Sequence, residues 1–374
     1  MPQCISSGDS ATGIGEILDQ TGALKVFLVT DEGVRRAGLT EKIQSAILKK
    51  NAELTINDAI APEPTYEQAQ SVVDSAAGAD LIIAAGGGSV MDAAKLASIL
   101  AGSDIKVKDL LKDPTKAHKR VRSVMIPTTC GTGSEATGNA IVAVPEEKVK
   151  VGIVNSQMIP DYVFLDCEMI RNLPPKILAA TGVDALAHAV ECFTSKKANA
   201  LSDAYALYAA KLIFDNIERA YANPGDMEAK KAMLIGAFFA GCAITASGTT
   251  AVHALSYPLG GAFHIPHGVS NAILFAPVMD FNADAITDRL EKLCDATAPA
   301  KYASSPEEKA TYIIGRIAQI VKNVDIPTTL TAYGVETKDI DFLTSSAFGV
   351  RRLLDNNVKQ LTPEDIRRIY LRVM

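Results

Sequence analysis

Four of the chain's five histidines, His188, His253, His264 and His267, fall between residues 181 and 271, and Asp184 stands with them. In the segment TGVDALAHAVECF, Asp184 and His188 are four apart, which on a helix puts both side chains on one face about a turn from each other. Apolar residues fill nearly all the other positions, so the spacing predicts a buried helix with one narrow polar stripe. A polar stripe inside a core needs partners. The segment AVHALSYPLGGAFHIPHGVSNAI offers them. His253 lies on a short helical run expected to end at Tyr257-Pro258, and Gly260-Gly261 with Pro266 are expected to turn the chain before a new helix opens at His267. Three imidazoles and a carboxylate from separate elements make a donor set for divalent iron or zinc. Such a set catalyses when one coordination position stays open.

Each of these residues also has a plainer reading. Asp184 is three residues after Thr181, the spacing of a capping box at a helix start. A lone histidine on an apolar face is usually a core residue with a local hydrogen bond. The concentration of so many of so few histidines in one region, two of them beside glycine and proline turns, favours the metal site.

Composition sets the class of molecule that must hold these groups. At 374 residues the chain suits two domains. Tryptophan is absent, and the net charge of -6 supplies no basic field for nucleic acid or anionic lipid. Neither kind of partner is expected. The six cysteines, Cys4, Cys130, Cys167, Cys192, Cys242 and Cys294, show no CxxC spacing and suggest neither a thiolate metal site nor a disulfide framework. A reducing cytoplasm is the expected location. The first ten residues lack the pattern of a signal peptide, and the longest apolar run, residues 232–246, is read as too short to span a bilayer.

From the N-terminus to about residue 166, short apolar runs at 25–30, 54–57, 80–85 and 122–126 alternate with helical patterns at 32–50, 65–77 and 89–101, which predicts a parallel α/β sheet. From Leu173-Pro174-Pro175 onward the pattern is helical, with loops at 223–225 and 302–306. The expected division is an α/β domain over 1–173 and an all-helical domain over 174–374.

Two features of the first domain suit a nucleotide. The strand DLIIAA runs into Gly86, Gly87, Gly88 and Ser89 and then a helix, so backbone amides at a helix N-terminus face whatever lies above the strand end, a site for a diphosphate. Ser89 is the expected N-cap, with Asp92 completing a box-like pair, and both are expected among the cofactor-binding residues. The plainer alternative is a tight turn that needs glycine for backbone reasons. Asp31, at the end of KVFLVT, is placed to accept from an adenosine ribose hydroxyl and to repel a 2′-phosphate, which favours NAD over NADP; its plainer role is a turn aspartate. After a later strand comes PTTCGTGSE, where Thr128, Thr129, Gly131, Thr132 and Gly133 let a flat ring approach the backbone. Lys150, in an expected hairpin strand at 148–154, is a further cation.

Together these segments resemble the iron-containing, or group III, alcohol dehydrogenase family over nearly the whole chain. GGGSVMDAAK is similar to the family's diphosphate loop, PTTCGTGSE to its nicotinamide loop, and GVDALAHAVE and HALSYPLGGAFHIPHGVSNAI to its two ligand-bearing segments. The resemblance implies a dehydroquinate synthase-like, Rossmann-type dinucleotide-binding domain joined to an all-helical one, with cofactor and metal in the cleft between them. It implies Asp184, His188, His253 and His267 as ligands of Fe2+ or Zn2+. For NAD it implies Asp31 at the adenosine ribose, Gly87, Gly88 and Ser89 at the diphosphate, Thr128, Thr129 and Thr132 around the nicotinamide, and Lys150 near its ribose. Asn139 corresponds to a substrate contact, and members commonly dimerise. Two departures stand out. Glu63-Pro64-Thr65 replaces a common Asn-Pro-Thr, and Tyr257 occupies a position where some relatives have histidine, which leaves His264 as the alternative proton relay.

The implied activity is NAD(H)-linked interconversion of a small primary alcohol and its aldehyde. A lyase of the dehydroquinate-synthase type is one rival, but it needs several Lys and Arg around a phosphorylated substrate. A glycerol dehydrogenase-like polyol oxidoreductase is a second, and a non-catalytic metal or redox sensor a third.

Overall fold

The computed structural model describes residues 1–147, 149–297 and 304–374. The chain divides into two compact units: residues 1–129 with 133–173, and residues 130–132 with 174–374.

The first unit runs β1 (Cys4–Ser6), α1 (Ser10–Thr21), β2 (Lys25–Val29), α2 (Glu32–Arg36), α3 (Glu41–Lys49), β3 (Glu53–Asn57), α4 (Tyr66–Ser75), β4 (Leu81–Gly86), α5 (Gly88–Leu100), α6 (Val107–Lys112), β5 (Arg122–Pro127), β6 (Asn139–Val144), β7 (Val149–Val154) and β8 (Tyr162–Phe164). Among the described residues, six strands form one parallel sheet in the order β1-β8-β5-β4-β2-β3. The central strand β4, LIIAAG, is buried at every position, as a strand covered by helices on both faces must be. Strands β6 and β7 form a separate antiparallel hairpin. Lys148, the first residue of the hairpin strand expected at 148–154, lies outside the described residues.

The single helix expected over 32–50 is two, because Gly38 adopts φ 72° between α2 and α3. The short strands β1 and β8 did not stand out in the hydrophobic pattern. They are three residues each and pair with one another at one side of the sheet.

The second unit is helical: α7 (Pro175–Thr194), α8 (Ala200–Ala222), α9 (Met227–Ala246), α10 (Ala251–Phe263), α11 (His267–Thr297), α12 (Pro306–Asn323), α13 (Ile340–Phe348), α14 (Arg351–Leu354) and α15 (Pro363–Arg372). The turn expected at 223–225 joins α8 to α9. Of the loop expected at 302–306, residues 302 and 303 lie outside the described residues.

Helices α7 and α9 are long and apolar enough to cross a bilayer, more than the apolar run at 232–246 suggested. Their windows are 83% and 61% buried inside the fold, which marks core helices of the bundle.

The helix carrying His253 does not stop at Pro258. It continues through Gly260 and Gly261 to Phe263. A proline inside a helix removes one N–H bond, but here Pro258 sits in a stretch from Ala251 to Gly260 that is buried at every position except Tyr257, and packing holds the helix together across it. His264 ends the helix in the left-handed conformation, φ 54° and ψ 28°, with its N–H donating to Gly260.

Candidate functional site

Asp184 and His188 lie in the middle of α7, well past its start at Pro175. The capping reading of Thr181 is therefore overturned: its hydroxyl donates to the Ile177 carbonyl a turn back, and Pro174 is the N-cap. Position 188 follows 184 by one turn, so the carboxylate and the imidazole share a face. Helix α10 brings His253 to them and the start of α11 brings His267.

Three imidazoles converge on one carboxylate oxygen. Asp184 Oδ1 is 3.8 Å from His188 Nε2, 3.5 Å from His253 Nε2 and 3.7 Å from His267 Nε2. Ligand atoms about 2.1 Å from a shared tetrahedral ion stand roughly 3.4 Å apart, so these separations fit a divalent first-row cation. The donor atoms of Asp184, His188 and His253 also lie within 4.8 Å of one another. His267 forms the accessible side, with 31% of its side chain exposed against 3% for Asp184 and His253.

The spacing of the helices is fixed by backbone contact. A β-carbon at Gly268, the residue after His267, would lie 2.1 Å from the Ala180 carbonyl oxygen of α7. Only glycine allows so close an approach.

The electrostatics follow from burial. Burial favours the neutral carboxyl at Asp184, but the surrounding imidazoles of His188, His267 and His253 hold it far below the usual carboxylate range. Burial pushes His188 down to about 4 against the pull of Asp184, which keeps its ring neutral and its lone pair available to a cation. Burial also works against a charged His253, yet Glu191 and Asp184 carry it up to about 9.

Two residues that the sequence reading passed over complete the centre. Glu191, with no exposed surface, receives the Thr250 N–H at 3.0 Å, the Thr250 hydroxyl at 2.7 Å and the Val252 N–H at 2.9 Å on one oxygen, and pairs with His253 Nδ1 through the other. A carboxylate on the far nitrogen of a ligating histidine fixes its tautomer and orientation. The Asn271 amide nitrogen reaches Asp184 Oδ1 at 2.6 Å, His253 Nε2 at 3.1 Å and His267 Nε2 at 3.3 Å. Its oxygen is buried without a hydrogen-bond partner among the described residues, so the polar cluster retains an unmet acceptor. Both were visible as polar residues in apolar runs, three after His188 and four after His267.

His264 is exposed at the end of α10, and the hydrogen bonds described among the four candidate ligands do not include it. The Tyr257 ring lies 6.1 Å from that of His267.

In the first unit, Gly87 rather than Ser89 is the N-cap of α5, and no side chain caps it. Ser89 sits inside the first turn, where its Oγ accepts the Glu63 N–H at 3.0 Å. Gly88 opens the helix. The start of α5 is thus without a side-chain cap.

Asp92, expected to complete the cap, does not do so and is buried. It accepts from the Ser134 hydroxyl at 2.5 Å and the Ile141 N–H at 2.8 Å and pairs with the fully buried Lys95 at 3.0 Å. Its oxygens hold Ser134, in the turn before β6, and Ile141, within β6.

The glycine and threonine loops lie side by side. The Thr128 N–H donates to the Gly86 carbonyl at 3.1 Å, and the Thr129 side chain faces Gly87. Thr132 groups with the helical unit. Asn139 opens β6 and Lys150 lies in β7. Asp31 caps α2, one oxygen accepting the Val34 N–H at 2.9 Å.

Comparison with known proteins gives consistent matches. Residues 2–167 match the family model for iron-containing alcohol dehydrogenase, and residues 178–374 match the C-terminal model of the Fe-containing alcohol dehydrogenase family. Long-chain-alcohol dehydrogenase 1 of Geobacillus thermodenitrificans is 35% identical, the match covering 93% of this chain and 89% of the relative. NAD-dependent methanol dehydrogenase of Bacillus methanolicus is 30% identical over 98% and 97%. Among solved structures, a 1,3-propanediol oxidoreductase superposes with a TM-score of 0.93 at 28% identity, covering 100% of this chain and 98% of that one. A sulfoacetaldehyde reductase from Bifidobacterium kashiwanohense in complex with NAD+ gives 0.89 at 25% identity, covering 100% and 97%.

Proposed function

The chain belongs to the iron-containing alcohol dehydrogenase family, and on that premise we propose that it interconverts a small primary alcohol and its aldehyde with NAD(H), using Fe2+ or Zn2+ held by Asp184, His188, His253 and His267. The observation that carries this reading is the convergence of three imidazole Nε2 atoms on Asp184 Oδ1.

When bound, the cation supplies Lewis acidity toward the substrate oxygen and the nicotinamide supplies or receives the hydride. The chain's own residues do the rest. Asp184 contributes the one formal negative charge of the donor set, and Glu191 aims the His253 ring so that Nε2 points inward. His267 keeps the side toward solvent, where a small substrate enters. His264, exposed nearby in sequence, hands the proton to solvent, with Asn139 contacting substrate. Gly87, Gly88 and Ser89 take the diphosphate at the uncapped start of α5, Thr128, Thr129 and Thr132 surround the nicotinamide half, and Asp31 accepts from the adenosine ribose. We extend the reading to a homodimer or higher homo-oligomer in the cytoplasm.

The test is NADH oxidation across a panel of short aldehydes, after chelation and reconstitution with iron or zinc separately. Activity that returns with metal supports the proposal. Full turnover in the chelated, metal-free protein refutes it.

A further inference from the structure

We infer that Asn271 is a positioning residue of the metal centre that acts as a hydrogen-bonded placeholder. Its amide N–H groups engage the same lone pairs that would ligate the ion, so it holds the ligands together and gives way when the ion binds. The inference rests on the metal reading above and concerns how that site is loaded.

Geometry sets Asn271 apart from an ordinary outer partner. It follows His267 by one turn of α11 and so shares its face. Its amide nitrogen lies 2.6 Å from Asp184 Oδ1, 3.1 Å from His253 Nε2 and 3.3 Å from His267 Nε2. Glu191, by contrast, meets His253 at Nδ1, the nitrogen that does not ligate, and supports the ring from behind. The Asn271 amide stands in front of it. Three of the four atoms offered to a cation are the three that this nitrogen touches.

Chemistry makes the contact competitive. A neutral imidazole has one acceptor nitrogen, and in the tautomer that ligates, with the proton on Nδ1, that acceptor is Nε2. A lone pair given to an N–H is not available to a cation. A carboxylate oxygen is less restrictive, because it accepts more than one partner, so the competition falls on His253 and His267. The same contact also brings order. Two amide hydrogens serve three acceptors, and without a donor among them the buried lone pairs would face one another unmet.

The far end of the side chain leaves it able to turn. Asn271 is fully buried, yet its Oδ1 has no hydrogen-bond partner among the described residues, so rotation of the amide breaks no bond at oxygen. The backbone that carries it is fixed, since Gly268 leaves no room for a β-carbon beside the Ala180 carbonyl. The movement is one of side-chain torsions.

The experiment uses the full-length parent, Asn271→Ala and Asn271→Ser. Zinc dissociation constants are measured by competition with a chromogenic chelator, and Tm is measured for the chelator-stripped and zinc-loaded forms. Serine keeps a polar group in the core, which guards against a misfolded alanine variant. Both variants are expected to bind zinc about tenfold more tightly than the parent, because hydrogen bonds are lost from the stripped form and not from the loaded one. The stripped variants are expected to lose more Tm, each against the parent in the same form, than the loaded variants do, since the cavity is common to both forms. Weaker zinc binding would mean that Asn271 supports the bound ion as an outer partner. Unchanged binding with equal loss of Tm in both forms would mean that it only packs. Either result overturns the inference while leaving the metal reading intact. A parent protein that binds no zinc overturns the reading itself, and the inference with it.

Discussion

Replacing Glu191 by glutamine keeps shape and volume but changes which atom of His253 carries a proton. One Glu191 oxygen holds three donors from Thr250 and Val252, and the other faces His253 Nδ1. A glutamine at 191 keeps the three donors only by placing its oxygen where they converge. Its amide nitrogen then points at His253 Nδ1 and must donate. His253 Nδ1 becomes the acceptor, and its proton moves to Nε2, the atom 3.5 Å from Asp184 Oδ1. A protonated Nε2 cannot ligate. The opposite glutamine orientation leaves His253 correct but sets an N–H₂ against three donors, losing three buried hydrogen bonds of about 1 kcal/mol each. Loss of an outer partner of this kind costs about 10–100-fold in metal affinity, or about 1.4–2.8 kcal/mol. The assay is competition for iron or zinc against a chelator of known affinity, read by metal analysis of the desalted protein. Thermal unfolding run alongside separates ligand loss from misfolding. A Glu191→Gln protein that folds and holds metal as tightly as the parent refutes the orientation argument.

Asp31→Ser keeps a side chain able to cap α2 through the Val34 N–H but removes the charge, so the ratio of catalytic efficiencies with NADH and NADPH should fall by about tenfold or more; an unchanged ratio places the 2′ position elsewhere. Burial pushes the Glu135 carboxyl up to about 7, with Lys95 opposing. Between about pH 4.5 and 7 the folded chain therefore keeps a proton that the unfolded chain releases, and stability falls across that window by at most about 3 kcal/mol. Glu135→Gln should raise Tm relative to the parent at pH 8 and not at pH 4.5, and an equal difference at both pH values contradicts the burial argument. His267→Ala should empty the metal site. His264→Gly, which suits the left-handed backbone at 264, should keep one ion per chain while altering the pH–rate profile; equal metal loss in both variants ends the relay assignment.

The polar stripe of α7 and the strand-to-helix glycine loop were readable because each is local: four-residue spacing and a run of glycines carry their meaning within one turn. What the sequence hid was set by partners far along the chain. Pro258 and Gly260-Gly261 looked like breaks, yet the buried surroundings of α10 carry the helix through them. Ser89 and Asp92 looked like a cap. The structure gives the cap position to Gly87 and sends both side chains to distant partners, Ser89 to Glu63 and Asp92 to Ser134 and Ile141. Glu191 stood three residues from His188 in plain view, but its meaning depends on Thr250, Val252 and His253, about sixty residues later. A buried acid in an otherwise apolar helix was itself a signal, since such a charge is rare unless it is paired.

The contact of Gly268 with the Ala180 carbonyl has a consequence for metal exchange. The helix bearing Asp184 and His188 and the helix bearing His267 touch main chain to main chain, so they cannot draw closer around a smaller ion. A smaller ion is therefore met by side-chain torsions, not by closer approach of these two helices. Redesign of metal preference by repacking the space between these helices is therefore a poor strategy. Changes to the torsional freedom of His267, the most exposed of the four, are where selectivity would respond.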